Sequence, residues 1–282
     1  MFHPGASSGP ANGAQLMGTQ TPARGLQMIG AAMDACRSIF VTHRPTPMLP
    51  RSKMLWHSGF NRRLVVAAIQ REAADVVAVV LVDPEGDPLP AWLPGAHLDV
   101  FLPSGRQRQY SLCGNPRDRS SYRIAVRLMP HGNGGSIEIH ENLRSGDILR
   151  VHGPRHTYPF VDADDYLFVA GGMGITALLP MARAAGPRGT LIYTGRSADS
   201  MPFRDQVPDA EIRPDDRFGS PDMAELLARA NPGAAVYVCG PPPMQEAAAR
   251  ALPRVNPTCS LHLERHQPRR AHRPVAANLT EA

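Results

Sequence analysis

Three short stretches carry residue types that can do chemistry together. The first is Tyr166-Leu167-Phe168-Val169-Ala170-Gly171-Gly172-Met173-Gly174-Ile175-Thr176, an apolar run that breaks into glycines before Ala177-Leu178-Leu179-Pro180-Met181-Ala182-Arg183. The run suits a strand buried on both faces, and the glycines let the backbone turn sharply and approach a ligand. A helix starting there aims its unpaired amides at the turn, an arrangement that can hold a dinucleotide pyrophosphate. Pro180 is expected in the first turn of that helix, where a proline is tolerated. Gly172, Gly174 and Ala177 fit the spacing G-x-G-x-x-G/A, but the next strand, residues 190–194, runs into Gly195-Arg196-Ser197. A cation stands where a ribose-binding acid is usual. Taken alone, the motif reads equally as a nucleotide turn or as an ordinary tight strand-to-helix connection.

The second stretch, Arg108-Gln109-Tyr110-Ser111-Leu112, puts a guanidinium, a phenol and a hydroxyl on one strand, with Arg108 and Tyr110 on the same face. Such a set could hold a phosphorylated aromatic ligand: the guanidinium for phosphate, the phenol over a ring, the hydroxyl for a hydrogen bond. An exposed arginine beside a barrel tyrosine is the simpler alternative. The third stretch, Gly132-Asn133-Gly134-Gly135-Ser136, precedes a helix start and has the makings of a phosphate cradle.

The elements that must position these residues fall into two styles. From Arg62 the chain consists of short apolar segments divided by turns: strands over 64–69, 76–82, 96–102, 108–112, 122–128 and 148–152, with a short helix over 136–143. Strands at this spacing predict a small antiparallel barrel. From Tyr166 strands and helices alternate: strand 167–170, helix 176–185, strand 190–194, helix 223–230, strand 235–239, helix 245–252 and strand 260–263. That alternation predicts an α/β layer with a parallel sheet. The expected fold is therefore an all-β antiparallel barrel over 61–161 followed by an α/β nucleotide-binding domain over 162–266. Residues 1–23 have a composition that cannot bury a core, residues 24–41 have an uneven helical pattern, and 1–60 as a whole reads as an extension; 267–282 reads as an unstructured basic tail.

The chain has 282 residues, enough for about two domains. The net charge of +5 sits at the ends: residues 1–60 carry +4, 265–282 carry +3, and the middle −2. This argues against a nucleic-acid-binding core and leaves the basic ends to dock an acidic partner or an anionic surface. Cys36, Cys113, Cys239 and Cys259 have no metal-ligand spacing, so no zinc or iron–sulfur site is expected and each is read as a small buried hydrophobe. With no signal-peptide pattern and no long apolar run, the expected setting is the cytoplasm, without a transmembrane segment.

In order, Arg108 to Cys113, Ala125-Val126-Arg127, Gly134-Gly135-Ser136, Gly171 to Thr176, Tyr237-Val238-Cys239-Gly240-Pro241 and Leu263-Glu264-Arg265 resemble the phthalate dioxygenase reductase family, within the ferredoxin–NADP reductase-like superfamily. Pro94-Gly95-Ala96-His97 and Gly153-Pro154-Arg155 also fit, and the resemblance covers about residues 60–266. It implies that Arg108, Gln109, Tyr110 and Ser111 bind a flavin, with Val126 and Arg127 along its ribityl chain and Gly134, Gly135 and Ser136 at its phosphate. The implied flavin is FMN, with FAD as the alternative. Gly171, Gly172, Met173 and Gly174 would meet NADH or NADPH, Arg196 its ribose or phosphate, and Cys239, Gly240 and Pro241 its nicotinamide side. Thr176, Cys239 and Glu264 would serve the reaction itself.

The chain departs from the family pattern in three ways. Relatives usually continue into a plant-type ferredoxin domain with a [2Fe–2S] cluster, whereas this sequence stops 16 residues after His266. His266 stands where an aromatic residue, usually Phe, shields the flavin, and Ala177 replaces the usual proline after Thr176. The resemblance thus implies a flavin-dependent NAD(P)H oxidoreductase, without a cluster in this chain, feeding a separate [2Fe–2S] ferredoxin or oxygenase component. The alternatives are a flavin reductase or diaphorase using free acceptors and a non-catalytic flavin-binding remnant.

Overall fold

The computed structural model describes residues 61–264; the N-terminal segment with its expected helix, His266 and the basic tail lie outside the described residues. Six strands form the first sheet: β1 (Asn61–Ala73), β2 (Val76–Val82), β3 (Ala96–Phe101), β4 (Gln107–Ser111), β5 (Ser121–Arg127) and β6 (Ile148–His156), with helix α1 (Gly135–Glu141) between β5 and β6. Their pairing is antiparallel throughout, in the order β4-β3-β6-β1-β2-β5. The edge strands are drawn together just beyond β4, where the Cys113 amide donates to the Arg123 carbonyl at 2.9 Å. Alternation fills the interior: Leu64 and Val66 on β1, Val79 and Leu81 on β2, Leu98 and Val100 on β3, Tyr122, Ile124 and Val126 on β5 are all buried. Strand β1 is longer than its apolar run predicts. Register shifts at Val66/Ala68 and Arg71/Ala73 let it continue along β2 after leaving β6.

The second sheet is parallel, in the order β11-β10-β7-β8-β9, from β7 (Tyr166–Gly171), β8 (Gly189–Gly195), β9 (Glu211–Pro214), β10 (Ala235–Cys239) and β11 (Ser260–Leu263). Every residue of β7 is buried. Tyr166, Phe168 and Ala170 pack with helix α2 (Ile175–Ala185) on one side, while Leu167 and Val169 pack with α3 (Met223–Leu227) and α4 (Pro242–Val255) on the other. Burial on both faces is why the run is continuously apolar rather than alternating.

Several expectations need correction. Pro180 is not in the first turn of α2 but at its sixth residue, inside the helix, so the Thr176 carbonyl has no amide four residues on to receive. Helix α4 begins at Pro242, earlier than 245, because prolines fit the first turn, where amides lack partners anyway. Strand β9 has no expected counterpart: Glu-Ile-Arg-Pro is short, charged and ends in proline, as an edge strand can be but a sequence pattern does not signal.

The two sheets share packing. Val76, Cys113, Ala125 and Tyr158 from the barrel side lie in the same apolar cluster as Tyr166, Ile175, Leu178, Met201 and Phe203. Polar ties run alongside: the Ala74 amide donates to the Asp199 carbonyl at 2.9 Å, and Arg127 donates to the Ser200 carbonyl. Among the described residues no helix is long and apolar enough to cross a membrane.

Candidate flavin and nicotinamide site

Since β7 is flanked by β10 on one side and β8 on the other, chain order reverses there, and the crevice beyond the carboxyl ends of those strands is the natural ligand position. The glycines at that edge are required by packing. A Cβ on Gly174 would fall 1.8 Å from the Cys239 carbonyl oxygen, and one on Gly171 would fall 2.5 Å from Met244 Sδ and 3.2 Å from Gly240 Cα. The turns after β7 and β10 thus lie backbone against backbone, and Gly172 adds a positive φ of 55°. Thr176 is buried and its hydroxyl donates to the Met173 carbonyl at 2.9 Å, tightening the same turn.

Three of the residues singled out from the sequence meet between the sheets. Ser111, at the end of β4, donates from Oγ to Glu264 Oε1 at 3.2 Å, and the Cys239 thiol, at the end of β10, donates to Glu264 Oε2 at 2.8 Å. All three are buried, at 5%, 3% and 8% exposure. Burial first and the neighbouring Glu264 carboxylate second push the Cys239 thiol well above its ordinary range. Cys239 is therefore a protonated donor and a compact wall, not a thiolate nucleophile. Tyr158, following β6, braces the junction by donating to the His262 carbonyl at 3.1 Å.

On the barrel side, Arg108 reaches the glycine loop, donating from Nη2 to the Asn133 carbonyl at 3.0 Å. A Cβ on Gly135 would lie 2.6 Å from Arg108 Nε, so glycine there is what lets the guanidinium sit against the loop. Arg106 reaches the same Asn133 carbonyl at 3.0 Å and flanks Gly134, whose φ is 77°. Ser136 accepts from the Met129 amide at 2.9 Å, which leaves its hydroxyl proton for a ligand. Tyr110 lies on the Arg108 face of β4 and is packed against the barrel core. Burial pushes its phenol up to about 12, with Arg108 pulling slightly the other way.

Gln109 turns to the opposite face, donating to the fully buried Asp99 at 2.7 Å. Arg155 lies 3.3 Å from that carboxylate. Val126 is buried, and its carbonyl meets His140 Nε2 at 3.0 Å, which seats α1 on β5. Arg127 spans from β5 to the glycine turn after β7: it pairs with Asp75 at 3.1 Å, and a Cβ on Gly172 would lie 3.2 Å from its Nη1. Arg196 is exposed beyond β8, and Pro241 is exposed beside the half-buried Gly240.

These residues fit the two groups. A guanidinium held against a glycine loop that no Cβ can enter suits a phosphate, and a second glycine turn at the edge of a parallel sheet suits a pyrophosphate. Sequence reasoning missed Arg106, His140, Tyr158 and Asp99. Arg106 lies in the turn before β4, and the others act through contacts between residues 10 or more apart in sequence.

No family model matches the chain. Over 192 residues it is 36% identical to a phthalate dioxygenase reductase from Burkholderia cepacia, covering 64% of this chain and 60% of that protein. Over 189 residues it is 36% identical to a vanillate O-demethylase oxidoreductase from Pseudomonas putida, covering 63% of this chain and 59% of that one. A solved structure of phthalate dioxygenase reductase, described as modular for electron transfer from pyridine nucleotides to [2Fe–2S], superposes with a TM-score of 0.65 at 33% identity, covering 73% of this chain and 68% of that one. The fold and site define a flavin reductase-like architecture of barrel and parallel sheet. The chain belongs to the phthalate dioxygenase reductase family, and it spans about 60% of the length of the curated relatives it matches.

Proposed function

We propose that the chain is a flavin-dependent NAD(P)H oxidoreductase that delivers electrons to a [2Fe–2S] centre, as the reductase component of an oxygenase system. The observation that carries this reading is the junction of Ser111, Cys239 and Glu264, where the ends of three strands from two sheets converge beside the glycine turn after β7. A bound flavin supplies the step from two-electron to one-electron chemistry, taking hydride from a reduced nicotinamide and passing electrons onward singly. Arg108, with Gly134, Gly135 and Ser136, would hold its phosphate, and Tyr110 would cover its ring system. Gly172, Met173 and Gly174 would receive the pyrophosphate of the nicotinamide nucleotide, while Thr176 and Cys239 shape the meeting point of the two rings.

Glu264 holds the hydrogens of Ser111 and Cys239 and so fixes the edge of that meeting point. Position and exclusion of water are the chain's contribution, which matches a site without an activated nucleophile. FMN is the flavin proposed, on the family resemblance, and the names of the relatives support an iron–sulfur protein or oxygenase component as partner.

The test is the visible spectrum of the purified chain under anaerobic conditions, before and after NADH and then NADPH. A flavin band that bleaches is expected, and the flavin released on denaturation identifies FMN or FAD. A colourless chain that neither FMN nor FAD reconstitutes would overturn the reading.

A further inference from the structure

The chain has two Asn-Gly pairs, Asn12-Gly13 and Asn133-Gly134, and the second lies in the loop before α1. An asparagine followed by glycine can lose its side-chain amide without an enzyme, because no Cβ shields the next backbone nitrogen from the asparagine side chain. Asn133 is exposed to the water that this reaction consumes. Neither its side chain nor the Gly134 amide has a hydrogen-bond partner among the described residues, so nothing holds the two groups apart.

The loop also bears on the nucleophile. The Asn133 carbonyl accepts from Arg106 Nε and from Arg108 Nη2, each at 3.0 Å. Arg106 is anchored in turn by Glu138, at 3.5 Å, which accepts from the Ser104 amide at 2.9 Å. The attacking group is the deprotonated Gly134 nitrogen, and its negative charge is shared with that same carbonyl oxygen. Two guanidiniums on the oxygen stabilise the developing anion, as the donors of an oxyanion hole do.

We propose that Asn133 is a site of spontaneous deamidation and isoaspartate formation that closes the adjacent anion-binding loop. Gly134 N bonds to Asn133 Cγ and gives up its proton to solvent, while the Cγ–Nδ2 bond breaks and the nitrogen takes a proton from water and leaves as ammonia. A second water opens the succinimide. Opening at Cγ gives aspartate. Opening at the backbone carbonyl carbon gives isoaspartate, in which the main chain runs through Cγ and the carbonyl held by Arg106 and Arg108 becomes a free carboxylate. The loop then carries its own anion against both guanidiniums. The consequence for flavin retention rests on the flavin reading above; the modification itself does not.

The test is ageing of the purified full chain at mildly alkaline pH, followed by peptide mapping that separates Asn133 from Asn12 and labelling with an isoaspartyl methyltransferase. Asn133 is expected to convert at least as fast as a synthetic peptide of residues 131–136, and Arg106→Gln, a change at an exposed residue, to slow the conversion several-fold. Asn133→Gln keeps the backbone carbonyl, would have to close a less favourable six-membered ring, and is expected not to convert. The converted fraction is expected to hold flavin about tenfold more weakly than the fresh chain, the loss of one charge-assisted hydrogen bond, whereas fresh and aged Asn133→Gln hold it equally. Asn133 left intact after the peptide has converted, or conversion indifferent to Arg106→Gln, would overturn the site. Conversion with undiminished flavin retention would overturn the closing of the loop. A fresh chain that binds no flavin while Asn133 converts would sink the flavin reading and leave the modification standing.

Discussion

Replacing Glu264 by Gln tests the junction most directly. The carboxylate accepts from Ser111 Oγ at 3.2 Å and from Cys239 Sγ at 2.8 Å, and the residue is 8% exposed. Glutamine keeps the volume but offers one acceptor oxygen and one NH2 group, so one of the two donors must turn away or face another donor. Ser111 can rotate and accept; the thiol is a poor acceptor. The loss is therefore one charge-assisted hydrogen bond, about 1.5–3 kcal/mol. If that energy holds the geometry at the ring junction, reduction of the flavin by NADH slows by about ten- to a hundredfold. Stopped-flow bleaching of the flavin band reads the rate, and a denaturant melt reads the stability. Removing the negative charge also lowers the Cys239 thiol, because Glu264 helps hold it up, but burial, the larger cause, stays and keeps the thiol protonated. A variant that bleaches at the wild-type rate and melts at the wild-type midpoint would refute the junction as a working unit.

Three further outcomes follow from the same geometry. Arg108→Ala removes the guanidinium held against Gly135 and is expected to weaken flavin retention by about ten- to a hundredfold, measured by fluorescence of released flavin, with Arg108→Lys intermediate. Gly174→Ala forces a Cβ to within 1.8 Å of the Cys239 carbonyl, so the turns after β7 and β10 must part; a stability loss above about 3 kcal/mol is expected in a urea melt, and a neutral result would contradict the packing. Burial raises the Cys113 thiol from its ordinary 9.0 to about 12, which makes the protonated form the one that folding favours. Its contribution is complete below pH 9 and is lost as pH rises from about 9 towards 12, so Cys113→Ala should flatten the alkaline loss of stability seen in melts across that window.

Much of this arrangement is legible because local pattern and tertiary position agree. The alternation of the barrel strands, the continuous apolar run of β7 and the glycines at its end each have one structural solution, and each adopts it. Arg108, Ser111, Cys239 and Glu264 stand out through residue type in an ordered series of motifs. Their meeting is different in kind: Ser111 and Glu264 are 153 residues apart and come from different sheets, and no periodicity encodes that contact. Edge strand β9 is invisible for a related reason. Its four residues pair on one side only, with β8, so neither burial nor alternation is imposed on them.

The placement of the site between the sheets also explains why its residues cannot be assigned to either half. The barrel supplies Ser111 and the arginine-lined glycine loop; the parallel sheet supplies Cys239, Glu264 and the glycine turn after β7. What holds the halves in register is apolar. Val76, Cys113 and Ala125 of the barrel are buried among Ile175, Leu178, Met201 and Phe203, and they have little freedom to slide without opening voids. Arg127 adds direction, since a guanidinium tied to Asp75 on one side and to the Ser200 carbonyl on the other fixes β5 against the loop that follows β8. On the proposed function, hydride transfer would require two rings held at a separation set to within fractions of an ångström. A shared core with a few oriented polar ties is the means this sequence would have of setting it, and the Ser111–Glu264–Cys239 junction joins residues from both sides of that core.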